Sequence, residues 1–125
     1  MVGASDDEGK YGHKVFRNLI DGGFEGRLYP VNPNATTVLG RSSYPSLKAI
    51  PERLDLAFIV IPARLVVDAV REAVEAGVRG LVIISAGFGE TGDEGQQAES
   101  EIRALCAGAG IPAVGPNCMG ICSFP

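Results

Sequence analysis

The sequence contains no tryptophan and a single histidine, His13. One imidazole cannot build a multi-histidine metal centre, and nothing in the sequence pairs it with a particular serine or cysteine as a catalytic base. A solvated or phosphate-facing role is the expectation for it. Cysteine is scarce: Cys106, Cys118 and Cys122. An odd count without a secretory signal points to a reducing, cytoplasmic setting and free thiols. Cys118 and Cys122 lack the two-residue spacing of a metal knuckle, so no metal is expected. No apolar run approaches the roughly 18 residues of a membrane span. Basic side chains are outnumbered, 11 against 15 acidic, for a net charge of −4. That balance excludes a general nucleic-acid binder, which needs a basic surface. A last absence is local. Tyr29-Pro30-Val31-Asn32-Pro33 carries no acid, although a dinucleotide-binding fold places there the carboxylate that holds its cofactor's ribose.

What is present describes a folded α/β chain. Apolar residues make up 46% of the 125, enough for one domain with a real core. Short apolar runs alternate with amphipathic stretches, which reads as repeated βα units. Val15, Phe16, Leu19 and Ile20 recur at helical spacing within Gly12 to Asp21, and Gly22-Gly23 ends that helix. Arg27 to Val31 reads as a strand, Asn34 to Ser46 as mostly loop, and Leu47 to Ile50 as a helical turn. Asp55 to Ile61 is nearly all apolar, as in a parallel strand covered on both faces. A helix from about Arg64 to Ala76 follows, then a strand over Gly80 to Ser85. Thr91 and Glu94 have capping-box spacing for a helix reaching about Ala107. Ile111 to Val114 is a last short strand. The expected fold is an open, Rossmann-like parallel sheet of about five strands with helices on both faces. Only Met1 and Val2 precede Gly3, so the first strand is expected to be truncated and residues 1–125 to be one domain of a larger chain.

Candidate chemistry collects where strands end. In open α/β sheets ligands bind beyond the carboxyl ends of the strands. Gly3-Ala4-Ser5, Val31-Asn32-Pro33, Ile61-Pro62-Ala63, Ser85-Ala86-Gly87 and Gly115-Pro116-Asn117 all fall at such ends. Gly3 permits a tight turn, Ser5 offers a hydroxyl, and Gly12 lies near a helix start whose free N–H groups attract anions. Lys10, His13 and Lys14 add positive charge nearby. Taken alone, the same turn also reads as an ordinary βα connection with solvated charges, because its spacing is not G-x-G-x-x-G. Asn32-Pro33 can equally be a plain strand stop. The run Asp6-Asp7-Glu8 would repel a phosphate unless it points away.

The ordered segments VGAS, YPVNP, DLAFIVIP, VIISAGFGETG and GPNCMGI closely resemble the CoA-binding domain of NDP-forming acyl-CoA synthetases. That group includes ADP-forming acetyl-CoA synthetase and the α subunit of succinyl-CoA synthetase. The resemblance covers essentially the whole chain and implies coenzyme A as the cofactor. It places Gly3, Ala4, Ser5 and Gly12 against the CoA phosphates, and the positive charge of Lys14 makes it a further candidate there. Val31, Asn32 and Pro33 would flank the adenosine, and Val60, Ile61 and Pro62 would line the pantetheine path. Ser85, Ala86 and Gly87 would sit toward the thiol, with Asn117 and Cys118 near the forming thioester. Relatives often carry a lysine where this chain has Asn34, and Lys10, Lys14 or Arg41 would have to substitute. The implied partners are CoA or acyl-CoA and the remaining synthetase domains or subunit, and a homo-oligomer is compatible. The segment would bind CoA without turning it over, since the phosphohistidine domain is not in it. Two other readings stay open: a CoA-sensing module fused to an acetyltransferase, and an NAD(H)-binding domain.

Overall fold

A computed structural model describes residues 1–121; Cys122 lies outside them. The sheet is built on β3 (Ala57–Ile59), β4 (Leu81–Ile83) and β5 (Ala113–Val114), all parallel. Three helices accompany it: α1 (Tyr11–Asp21), α2 (Val66–Glu75) and α3 (Asp93–Ala109). A two-stranded antiparallel hairpin, β1 (Thr37–Val38) with β2 (Arg41–Ser42), stands apart.

The sheet extends beyond β3 through single parallel bridges. Val2 bridges Ile59 on one side and Val31 on the other, and Val31 bridges Tyr44. Across the sheet the order is therefore Tyr44, Val31, Val2, β3, β4, β5. This is the doubly wound order, in which the chain reverses direction between the first segment and the fourth. The expected strand Arg27 to Val31 is reduced to its last residue, because Pro30 and Pro33 have no N–H to place in a ladder. The expected run Asp55 to Ile61 is regular only at Ala57–Ile59.

Both faces of the sheet are covered, as the apolar β3 requires. Ala57 and Ile59 join Val66, Val70, Ala73, Leu81, Ile83, Ile102 and Cys106 in the core under α2 and α3. Phe58 and Val60 point the other way, against the cluster of Met1, Ala4, Phe16 and Val38 beside α1. The alternation follows from the two-residue period of a strand. Burial pushes the Cys106 thiol pKa up, so it behaves as a small apolar group.

Helix ends follow their glycines: Gly23, Gly77 and Gly110 all take positive φ just past α1, α2 and α3. One expected helix start holds with a change of geometry, and one fails. The stretch near Arg64 begins as a tight turn, Ala63–Leu65, before α2 proper. The Thr91–Glu94 capping box does not form. Gly92, at φ 113 and ψ −160, holds the N-cap position of α3, and the Thr91 hydroxyl donates instead to the Phe88 carbonyl at 2.8 Å. Those angles are open essentially to glycine alone. No helix among the described residues is long and apolar enough to cross a membrane.

Candidate functional site

Every strand-end segment named from the sequence lies on one rim, and hydrogen bonds or close packing stitch each to the next. The Asn32 side-chain amide donates to the Ala4 carbonyl at 2.9 Å, while its oxygen accepts from the Asn34 N–H at 2.9 Å. Asn32 thus ties the second strand end to the first and starts the following turn. One N–H and one oxygen lone pair of its side chain are thereby engaged structurally, which leaves one N–H and one lone pair unspent.

Gly3 is next along the rim. At φ +88, a Cβ on Gly3 would overlap the Val60 carbonyl oxygen and crowd Ile61. Gly12, in the first turn of α1, packs its bare Cα on the Gly3 carbonyl. Glycine at both positions lets helix, turn and β3 approach closely. The turn also presents donors. The N–H groups of Ala4, Ser5, Tyr11 and Gly12 have no backbone acceptor among the described residues, and they gather at the amino end of α1, where the dipole favours an anion.

Ser5 is buried, and its hydroxyl accepts from the Asp7 N–H at 3.1 Å. His13 departs from expectation: it is buried, with Nδ1 3.0 Å from the Ser5 carbonyl oxygen. A carbonyl only accepts, so this contact assigns the proton to Nδ1. His13 is thus a prop under the turn rather than a solvated side chain. The acidic run is also tied down in part. Asp6 Oδ1 accepts from the Leu39 N–H at 2.7 Å, and Asp7 accepts from the Gly9 N–H at 3.0 Å and pairs with Lys10. Lys14 is exposed on α1.

Beyond the reversal point, the Ile61 N–H donates to Ser85 Oγ at 3.0 Å, and that hydroxyl reaches the Ile59 carbonyl at 3.4 Å. Ser85 therefore couples the ends of β3 and β4. Pro62 and Ala86 are exposed beside it, and Gly87, at φ +101, abuts the Ala63 methyl. The Ser85 carbonyl in turn accepts from the Asn117 N–H at 2.9 Å, and Cys118 Sγ sits 3.3 Å from the Ile83 carbonyl. Asp6, which the sequence marked only as part of an acidic run, and Glu90, which it did not flag, complete the picture. Glu90 Oε1 accepts from the Gly87 N–H at 2.6 Å, and this bond lowers its carboxyl pKa. With the folded pKa depressed, the carboxylate's support of the loop is present above the unfolded pKa and fades as pH falls through the folded one. Protection of the Gly87 amide in hydrogen-exchange NMR should weaken over that acid range, and Glu90→Gln should reproduce the loss at neutral pH.

Two clefts lie elsewhere. One of about 210 Å³, lined by Met1, Leu28, Tyr29, Leu54 and Phe58, opens at the amino ends of the strands. The other, about 290 Å³, runs between α3 and β5 beside Ile102, Cys106 and Ala113. Neither includes Ser5, Asn32, Pro62 or Ser85. Free donors and bare-glycine approach, rather than volume, single out the rim. Among the described residues no group of three or more His, Cys, Asp or Glu could hold a metal ion.

Comparison with known proteins supplies the family. The sequence profile of the CoA binding domain matches residues 1–123. The chain belongs to the CoA-binding domain family. It is 46% identical over 122 residues to the α subunit of an ADP-forming acetate–CoA ligase II of Pyrococcus furiosus, covering 97% of this chain and 26% of that protein. It is 39% identical over 124 residues to a trans-feruloyl-CoA synthase of an unknown prokaryote, covering 99% of this chain and 18% of that protein. Among solved structures, a dinucleotide-forming acetyl-coenzyme A synthetase 1 of Ca. Korarchaeum cryptofilum, in complex with phosphate and ADP, superposes with a TM-score of 0.90. It is 36% identical, with 95% of this chain and 25% of that chain covered. This CoA-binding domain thus spans about a quarter or less of each of these three proteins.

Proposed function

We propose that this domain binds coenzyme A along the rim, as the N-terminal module of an ADP-forming acyl-CoA synthetase. The observation that carries the reading is the unbroken sequence of contacts from Asn32 through Ala4, Gly3, Val60, Ile61 and Ser85 to Asn117. It crosses the reversal point of a doubly wound sheet, where such folds hold nucleotides. The free N–H groups of Ala4, Ser5, Tyr11 and Gly12, with Lys14 beside them, receive the diphosphate. Val31, Asn32 and Pro33 flank the adenosine. Val60, Ile61 and Pro62 present a mostly apolar edge to the pantetheine arm, and Ser85, Ala86 and Gly87 stand toward its thiol with Asn117 and Cys118 beyond. Coenzyme A supplies the thiol that becomes the thioester; this segment holds and orients it.

The acyl group is selected outside this domain. Relatives named for acetate and for trans-feruloyl share 46% and 39% identity with it, so one scaffold accompanies acyl groups of very different size. The whole protein would interconvert acyl-CoA, ADP and phosphate with carboxylate, CoA and ATP, using partner domains or a partner subunit. Fusion to a different effector uses the same rim, and the covalent context decides between the two. NAD(H) is disfavoured because Asn32 carries no charge and already spends its amide on Ala4.

Isothermal titration with CoA and NAD+ tests the reading. CoA should bind with measurable heat and a single site, and NAD+ should give none at the same concentrations. A folded chain that takes NAD+ and ignores CoA would end the proposal.

A further inference from the structure

Most lysines and arginines here face a carboxylate. Lys14, Arg41, Arg53 and Arg64 have no carboxylate partner among the described residues. Arg53 lines the cleft at the amino ends of the strands. The other three stand on segments around the rim. Lys14 lies in the first turns of α1, beside the diphosphate position, and Arg64 in the turn after Pro62, beside the pantetheine edge. Arg41 is different, because it stands on the hairpin.

That hairpin is fixed to the site at two points. Its loop, Leu39-Gly40, takes positive φ at both residues, 47 and 74, the two-residue turn whose twist suits an antiparallel pair. The Leu39 N–H at the tip is held by Asp6 Oδ1 at 2.7 Å, so the residue after Ser5 grips it. Val38 is fully buried in the cluster of Ala4 and Phe16. Arg41 is directly opposite Val38 in the ladder, and directly opposite side chains leave an antiparallel pair on the same face. The exposed guanidinium therefore rises from the hairpin face that meets Ala4 of the phosphate turn. Ala4 is also the residue that Asn32 binds, so the second strand end lies alongside. In doubly wound folds a ribose sits at that strand end, and an arginine nearby accommodates a phosphate on it.

Resting on the CoA reading, we propose that Arg41 is the specificity-determining cation for the ribose phosphomonoester, the 3′-phosphate of CoA. Asp6 is its positioning residue, since it holds the hairpin tip in register with the turn. A planar guanidinium matches the phosphate's paired oxygens, and a charge-assisted bond of this kind discriminates where a neutral one does not.

The test is a comparison of ligands across variants, read by calorimetry at fixed ionic strength. The wild-type chain should bind CoA about tenfold or more tightly than 3′-dephospho-CoA. Arg41→Ala should remove most of that preference, weakening CoA about tenfold while changing dephospho-CoA less than about twofold. Arg41→Lys should restore part of it. Asp6→Ala should lower the preference with Arg41 still present. Arg41 is exposed, so thermal melting should show Arg41→Ala folded as well as the wild type. An Arg41→Ala chain that keeps the full preference, or that loses both ligands equally, overturns the proposal while leaving CoA binding intact. A wild-type chain that binds neither form defeats the underlying reading instead. If NADP+ binds in preference to NAD+ through Arg41, and CoA does not bind, the ribose phosphate belongs to a different nucleotide and the CoA assignment falls.

Discussion

Gly12→Ala should destabilise the chain by about 3 kcal/mol or more, at the upper end for overpacking by one methyl group. A Cβ on Gly12 would overlap the Gly3 carbonyl oxygen, which is backbone and cannot swing aside. Gly3 has no room to retreat, because its own α-carbon rests on the Val60 carbonyl. Three segments are stacked without side chains between them, so the added carbon must prise α1 from the sheet. CoA affinity should fall with stability, since the same displacement opens the phosphate turn. Urea unfolding supplies the number. Gly108→Ala is the control: nothing lies within 4 Å of a Cβ at that α3 position. It should stabilise by roughly 0.5–1 kcal/mol through helix propensity alone. Equal effects at the two positions would remove the packing argument.

Asn32→Asp should also be costly, by about 1–3 kcal/mol, and should not create an NAD site. The substitution is nearly isosteric and installs the acid that dinucleotide folds use. Here, however, the Asn32 amide is a donor to the Ala4 carbonyl at 2.9 Å. An ionised aspartate has only acceptors, so two oxygens would face each other where one hydrogen bond stood. The junction between the first two strand ends should loosen and CoA affinity should drop about tenfold or more. NAD+ should still give no heat in the calorimeter. A variant as stable as the wild type that gains NAD+ would show that Asn32 marks ligand choice rather than architecture.

Periodicity carried most of the architecture. The helix expected after Arg64 forms and buries Val66, Ala69, Val70 and Ala73, with Val74 half-buried, and the apolar run around Ala57–Ile59 does lie between two covered faces. The five strand ends could be gathered on one rim because a doubly wound sheet leaves them no other place. The hairpin was illegible. Its turn uses leucine in a left-handed conformation, where an asparagine or aspartate before the glycine would have announced it. The roles of Asp6 and His13 were hidden for a different reason. Asp6 acts on Leu39, 33 residues away, and in sequence it is one acid among three. His13 reaches Ser5 only because α1 folds back over the turn. Thr91 and Glu94 show the reverse error, a correct spacing whose start position a glycine had already taken.

The brevity of the hairpin loop has its own evolutionary corollary. With only Leu39 and Gly40 between Val38 and Arg41, the connection works as a length gauge. One extra residue there would rotate the following side chains to the outer surface and carry the guanidinium away from the nucleotide. Proteins that keep this gauge can drift freely at Thr37 or Ser42, yet they should tolerate neither insertion nor deletion across its tip.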